Sequence, residues 1–155
     1  MEIRKIMKED SKEIIPLLDQ VAKLHIEKRP DIFKAKTIDD IKTYANELIN
    51  DKDRIVLVAT ENKIILGIIV LKIKKINSHI NLKDNRILWI DELCVNEENR
   101  HNGIGKALIK EAKQIAKNLN CKRLELNCWG FNNDAMKFYE KQKFKSQRII
   151  MEIEI

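Results

Sequence analysis

The amino-acid sequence predicts a mixed α/β fold in which helices flank a mostly antiparallel sheet. A short segment near the start of the chain alternates apolar and charged residues, and two amphipathic helical segments follow it. Two apolar runs, separated by Glu61, Asn62 and Lys63, then predict a β-hairpin. The second half of the chain alternates strand-like and helix-like segments. We therefore expect a single α/β domain over residues 1–155.

Apolar spacing along the chain gives the order of the elements. The predicted strands are 2–7, 54–60, 64–76, 87–95, 123–128 and 144–155. The first predicted helix is capped by Asp10 or Ser11 and reaches at least Leu24. Thr37 and Asp40 resemble a capping box that opens a second helix. The later predicted segments are helices at 103–119 and 132–142 and a polar loop at 77–85.

The composition limits the classes of protein to consider. Hydrophobic residues make up 44% of the chain, which suits a globular core, and no apolar run reaches the roughly 20 residues that span a bilayer. The charged start of the chain is unlike a signal peptide. We therefore expect a cytoplasmic protein that does not bind membranes.

The net charge of +6 could attract nucleic acid or a polyanionic cofactor. Nucleic-acid binding is the less favoured reading, because no basic run is interleaved with aromatic residues. The three cysteines, Cys94, Cys121 and Cys128, are odd in number and lack the Cys-x-x-Cys spacing of zinc sites. We expect them to be small core residues, and we expect no metal site.

A basic turn with two glycines follows the predicted strand that ends at Val95. It reads Arg100-His101-Asn102-Gly103-Ile104-Gly105-Lys106, and an amphipathic helix continues from it. Backbone amides at a helix N-terminus form an anion site, and glycine lets a pyrophosphate approach the backbone closely. The spacing matches neither the dinucleotide-binding fingerprint nor the P-loop.

A second segment begins 27 residues after Gly105 and reads Asn132-Asn133-Asp134-Ala135-Met136-Lys137-Phe138-Tyr139-Glu140-Lys141-Gln142-Lys143-Phe144. Together, the two segments resemble the GNAT superfamily of N-acetyltransferases. That family carries an Arg/Gln-x-x-Gly-x-Gly/Ala turn and then an Asn-x-x-Ala-x-x-Phe-Tyr-Glu-x-x-Gly-Phe block. One position departs from the pattern, since Lys143 replaces a glycine that ends the helix in a left-handed conformation.

The resemblance implies a sheet whose central strands splay apart around acetyl-coenzyme A, the co-substrate. In the family, the strand before the turn pairs with the pantetheine arm, and the turn holds the pyrophosphate. The cofactor-binding residues that the resemblance assigns are Leu93, Cys94, Val95, Arg100, His101, Asn102, Gly103, Ile104, Gly105, Lys106, Asn127, Asn132, Ala135, Phe138 and Tyr139.

The resemblance also implies catalytic roles for a donor and a base. The amide of Val95 would face the acetyl carbonyl, and Tyr139 would donate a proton to the leaving thiolate. Asp91 and Glu92 are both candidates for the base, and as neighbours on one strand they are expected to point to opposite faces. Glu125 and a chain of water molecules remain alternatives.

The acceptor is expected to be a small-molecule or peptide amine. In the family, selectivity comes from the first two helices and their loop, which here include Glu27, Arg29, Asp31 and Tyr44. The side chains predicted to bind the acceptor are His25, Phe33, Trp89 and Trp129.

Two rival functions and the oligomeric state remain open from the sequence. One rival is a catalytically degenerate domain that binds acyl-coenzyme A as a sensor or assembly partner. The other is a basic nucleic-acid module. Residues 149–155 could pair between subunits, which makes a homodimer possible.

Overall fold

The computed structural model describes residues 1–76, 80–81, 83 and 85–155. The strands of this part of the chain are β1 (Glu2–Lys5), β2 (Arg54–Glu61), β3 (Ile64–Ile76), β4 (Asn85–Val95) and β5 (Arg123–Leu126). Its α-helices are α1 (Ser11–Lys28), α2 (Ile38–Asn50), α3 (Ile104–Asn118) and α4 (Asn133–Lys141). Part of the predicted loop at 77–85 lies outside the described residues. No helix among these residues is both long and apolar enough to cross a bilayer.

The strands form one sheet whose spatial order is the same as their order in the chain, β1-β2-β3-β4-β5. Neighbouring strands are antiparallel except for β4 and β5, which are parallel. A parallel pair needs a crossover connection, and α3 supplies it. The predicted mixed, mostly antiparallel sheet with flanking helices is therefore confirmed.

Helices cover both faces of the sheet, and each face has its own core. On the face covered by α1 and α2, Val58, Ile68 and Val70 are fully buried. On the face covered by α3, Leu88 and Leu108 are fully buried. The predicted capping box at the start of α2 is confirmed, because Thr37 and Asp40 exchange side-chain to backbone hydrogen bonds. The apolar stripes read from the sequence thus face the sheet.

The strand predicted at 144–155 is wrong. The structure has no strand in this segment, and side chains make contacts along it, such as the ion pair of 2.7 Å between Arg29 and Glu152. Residues of the segment that are at least 81% exposed are Ile149, Ile150, Met151, Ile153 and Ile155. Apolar alternation shows only that one face could be buried. A strand also needs a ladder of backbone hydrogen bonds, which this segment does not form with β5 at the edge of the sheet.

Helix α4 ends in a Schellman motif at the position where Lys143 departs from the family pattern. Lys143 has a φ of 72°, and its N–H donates to the carbonyl of Glu140. The N–H of Phe144 donates to the carbonyl of Tyr139, and the two rings lie 5.6 Å apart. These are the bonds and the apolar contact of the motif. A lysine therefore occupies the left-handed position without displacing Phe144.

Replacing Lys143 by glycine should stabilise the protein. A side chain with a Cβ costs about 1 kcal/mol in the left-handed conformation, and glycine avoids that cost. We expect Lys143→Gly to raise the free energy of unfolding in urea by about 1 kcal/mol. The matched control is Lys137→Gly, an exposed position inside α4, which should lower it by a similar amount. A Lys143→Gly variant no more stable than the wild type would contradict the assignment.

Candidate functional site

The central feature of the site is an opening between β4 and β5. The two strands pair over four positions, from Ile87 opposite Arg123 to Ile90 opposite Leu126. Strand β5 ends there, whereas β4 continues to Val95. Among the residues that the structure describes, none pairs as a strand with residues 91–95 of β4 on that side. We call the space beside them the β4–β5 opening, and it matches the predicted splaying of the central strands.

The hydrogen-bond pattern of β4 shows which backbone groups face the opening. Asn96 donates to the carbonyl of Leu66 at 2.9 Å, and Val95 lies opposite Gly67. Hydrogen-bonded and non-hydrogen-bonded pairs alternate along an antiparallel ladder. Val95 is therefore at a non-hydrogen-bonded position with respect to β3, and so is Leu93. Their N–H and C=O groups point away from β3, toward the opening.

A β-bulge in β4 corrects the expectation for the two adjacent carboxylates. Val70 pairs with Glu92 and Leu71 pairs with Ile90, so Asp91 is an extra residue without a partner on β3. The bulge shifts the alternation of side chains by one residue. Asp91 and Glu92 therefore lie on the same face of the sheet, the one covered by α1 and α2, and not on opposite faces as predicted.

The surroundings of the two carboxylates differ. The Oε1 atom of Glu92 accepts a hydrogen bond of 2.6 Å from the hydroxyl of Tyr44 on α2, and its Oε2 atom is buried without a hydrogen-bond partner among the described residues. Burial raises the pKa of Glu92, although the bond from Tyr44 acts in the opposite direction. Asp91 is 29% exposed and lies 4.0 Å from Arg54. Glu92 is thus the more buried of the two carboxylates, and one of its oxygens has an unused acceptor position.

The glycine turn forms the N-terminus of α3 beside the opening. Gly103 caps the helix with a φ of 82°, which favours glycine. The first bond within the helix runs from Ala107 to the carbonyl of Gly103. The three preceding N–H groups, those of residues 104–106, therefore have no partner within the helix. This is the arrangement that binds anions. Arg100 forms an exposed ion pair with Glu97.

The two motif segments are in contact. A Cβ atom at Gly105 would lie 3.0 Å from the ring of Phe138, so glycine lets α4 approach α3 closely. Asn132 caps α4 by accepting from Ala135 at 3.1 Å, as predicted. Burial, with smaller effects from the thiols of Cys128 and Cys94, raises the pKa of Tyr139. The phenol therefore stays protonated at neutral pH. Asn127 is exposed just beyond β5.

Aromatic residues from three segments gather beyond the end of β5. His25 stacks on Phe33 at 4.8 Å between centroids, and Phe33 meets Trp129 edge-on at 5.4 Å. Phe131, which sequence reasoning missed, stacks on Trp129 at 5.9 Å. Burial, followed by the charge of Lys36, lowers the pKa of His25. Three of the four predicted acceptor residues therefore lie together.

Trp89 does not join this aromatic group. Its ring lies under the ammonium of Lys74, 3.1 Å from the ring centroid, on the paired part of β4. The sequence predicted that Trp89 flanks the cleft, and in the structure Trp89 lies on the part of β4 that still pairs with β5. Two contacts that the sequence did not predict are those of Tyr44 with Glu92 and of Gln20 with Val95. Neither has a sequence signal, because both join residues more than 45 positions apart.

The family model described as "Acetyltransferase (GNAT) family" matches residues 18–144. GCN5-related N-acetyltransferase 4, chloroplastic, of Arabidopsis thaliana is 38% identical over 63 residues, which are 41% of this chain and 22% of that protein. A mutant of the BH1408 protein from Bacillus halodurans has a TM-score of 0.94 at 24% identity, covering 100% of this chain and 99% of that one.

A further solved structure, aminoglycoside N-acetyltransferase AAC(6')-Iy in complex with CoA, has a TM-score of 0.76 at 16% identity. The match covers 99% of this chain and 93% of that one. At these identities the solved structures show a shared fold. The family model covers most of the chain, including the glycine turn and the Asn132 segment. The chain therefore belongs to the acetyltransferase (GNAT) family.

Proposed function

We propose that this protein transfers an acetyl group from acetyl-coenzyme A directly to a primary amine in a ternary complex. The observation that carries the proposal is the β4–β5 opening, because unpaired backbone groups of β4 border it and the free amides of α3 lie beside it. An extended pantetheine arm can hydrogen-bond to the unpaired backbone groups of β4, and a pyrophosphate can bind to the free amides of α3. CoA is present in the complex of the aminoglycoside N-acetyltransferase that shares this fold.

The cofactor would lie along β4 with its pyrophosphate at the start of α3. The amides of residues 104–106 would bind the phosphate oxygens, and Gly103 supplies the left-handed turn that presents them. Gly105 keeps this helix turn free of a side chain and close to Phe138. Arg100 and Lys106 would add positive charge at the rim.

The reacting thioester would lie between Val95 and Tyr139. The N–H of Val95 faces the opening and would donate to the acetyl oxygen as negative charge develops there, which stabilises the transition state. Tyr139 would donate a hydrogen bond to the sulfur. Because burial raises the pKa of this phenol, the hydroxyl is protonated before the C–S bond breaks. As that bond breaks, Tyr139 would give its proton to the departing thiolate, and the phenolate would regain the proton that the attacking nitrogen loses.

Glu92 is the base in this proposal. An amine arrives as an ammonium and must lose a proton before its lone pair can attack the carbonyl carbon. The Oε2 atom of Glu92 is buried and has no hydrogen-bond partner in the described part of the chain, so an ammonium there would find an unused acceptor. The raised pKa of Glu92 makes it a better base than an ordinary carboxylate. The acceptor would enter from the side of α1, α2 and the aromatic group.

Calorimetric titration with acetyl-coenzyme A tests the cofactor site. We expect Gly103→Glu to abolish binding, because it places a charge of the wrong sign and a strained backbone at the phosphate site. The matched control is Asn62→Glu, at a φ of 50° in the β2–β3 turn, which should bind like the wild type. A folded wild type that does not bind acetyl-coenzyme A would contradict the proposal.

An amine screen that follows thiol release separates catalysis from binding alone. Binding without thiol release across amino acids, polyamines, aminoglycosides and peptides would favour the degenerate acyl-coenzyme A sensor.

Glu92→Gln should abolish most of the activity while leaving cofactor affinity unchanged. Loss of a general base lowers kcat/KM by about 10²- to 10⁴-fold. Asp91→Asn is the matched control, because Asp91 is on the same face but more exposed, and we expect it to lose less than about 10-fold. The measurement is thiol release with the best amine of the screen. A larger loss in Asp91→Asn would assign the base to Asp91, and small losses in both would favour water or Glu125.

Tyr44→Phe should move the acid limb of the pH–rate profile to higher pH. The Tyr44 hydroxyl donates to Glu92 and so lowers the pKa of that carboxyl. Removing the donor raises the pKa, and the base then becomes protonated at a higher pH as the solution is acidified. Tyr139→Phe should lower the rate without moving this limb. An unmoved limb in Tyr44→Phe would argue against Glu92 as the titrating base.

A further inference from the structure

One side chain of α1 holds the end of β4 at the opening. The Nε2 atom of Gln20 lies 3.1 Å from the carbonyl oxygen of Val95 and 3.1 Å from the Sγ atom of Cys94. Its Oε1 atom accepts from the N–H of Glu97 at 3.2 Å. The partners fix the orientation of the amide, because a carbonyl oxygen needs a donor and an N–H needs an acceptor. Gln20 is thus bound to β4 and to the chain that leads into the glycine turn.

The bond to Val95 matters because of where Val95 lies. Both its N–H and its C=O point away from β3, and β5 ended five positions earlier on β4, opposite Ile90. A strand partner would normally satisfy both groups. Gln20 donates to the carbonyl oxygen of Val95 and not to its N–H group. The N–H is therefore the backbone group of Val95 that faces the opening and is available to a ligand.

The neighbouring contacts show that the attachment is built into the fold. The thiol of Cys94 donates to the carbonyl of Leu17, one helical turn before Gln20. Burial raises the pKa of Cys94 to about 12, so the thiol keeps its hydrogen for this bond. Gln20 itself is half-buried. Helix α1 therefore contacts β4 through two adjacent residues at the point where the strand leaves the sheet.

We propose that Gln20 is a positioning residue for acetyl transfer, which occupies the Val95 carbonyl and thereby fixes the Val95 N–H as the donor to the acetyl group. The inference rests on the proposed function. Gln20 touches neither the cofactor nor the acceptor in this arrangement. It acts through Val95, and through Glu97 it also fixes the start of the turn that carries Gly103.

The test uses calorimetry together with NMR spectra of protein labelled with ¹⁵N-valine. The chain has five valines, so few amide signals need to be assigned. In the wild type, the Val95 amide signal should differ between the coenzyme A and acetyl-coenzyme A complexes, because only the latter has the acetyl carbonyl. In Gln20→Leu this difference should disappear, and the Kd for acetyl-coenzyme A should rise about 10-fold, the effect of one lost hydrogen bond.

Two further variants separate positioning from packing. Gln20→Glu keeps the size of the side chain and the acceptor for Glu97 but cannot donate to Val95, so it should behave like Gln20→Leu. Gln114→Leu, an exposed glutamine on α3 that bonds Asn118, should match the wild type.

Three results would overturn the inference. In the first, both Gln20 variants keep the wild-type difference in the Val95 amide signal between the two complexes, and their Kd for acetyl-coenzyme A equals that of the wild type. The second is a change that spreads equally to Val58 and Val70, with a lower urea midpoint, which would show a structural role alone. In the third, neither coenzyme A nor acetyl-coenzyme A changes the wild-type spectrum. This result would contradict the proposed function itself, and with it the inference that rests on that function.

Discussion

The arrangement of the site depends on one extra residue in β4. The bulge at Asp91 shifts the alternation of the strand, so Glu92 turns toward Tyr44 on α2 while Leu93 and Val95 face α3. Without the bulge, Glu92 would lie on the α3 face, away from the α1–α2 side. Bulges bend a strand and increase its twist, which agrees with β4 parting from β5 just beyond this point. The carboxylate and the opening therefore share one cause.

Contacts between residues distant in sequence hold the other parts of the site in place. Gln20 on α1 bonds the end of β4, Tyr44 on α2 bonds Glu92, and Phe138 on α4 packs against the glycine of α3. Each helix thus fixes a different part of the opening. The chemistry around the site also differs, with free amides and basic residues at the start of α3 and aromatic rings beyond the end of β5. This asymmetry suits a ligand with a charged end and a reactive end.

The sequence predicted the order of strands and helices along the chain, the glycine turn and the Asn132 cap, because these depend on local periodicity and on motifs that bind backbone groups. The predictions that failed depend on pairing between segments. The bulge at Asp91 exists only relative to β3, and 144–155 alternates but forms no ladder with β5, the strand at the edge of the sheet. The contacts of Gln20 and Tyr44 carry no periodic signal and needed the structure.

The parallel pairing of β4 with β5 has a consequence for the order in which the molecule assembles. Strands β2, β3 and β4 are consecutive hairpin neighbours that close short loops, whereas β5 joins through four residue pairs after a crossover of 27 residues between Val95 and Arg123. Long closures come later in folding because their entropy cost precedes their contacts. The opening therefore forms only when the β5–α4 unit docks. A cofactor that contacts both β4 and α4 would stabilise the docked position of β5 and α4. The protection of α4 from proteases would then increase with the fraction of protein that has cofactor bound.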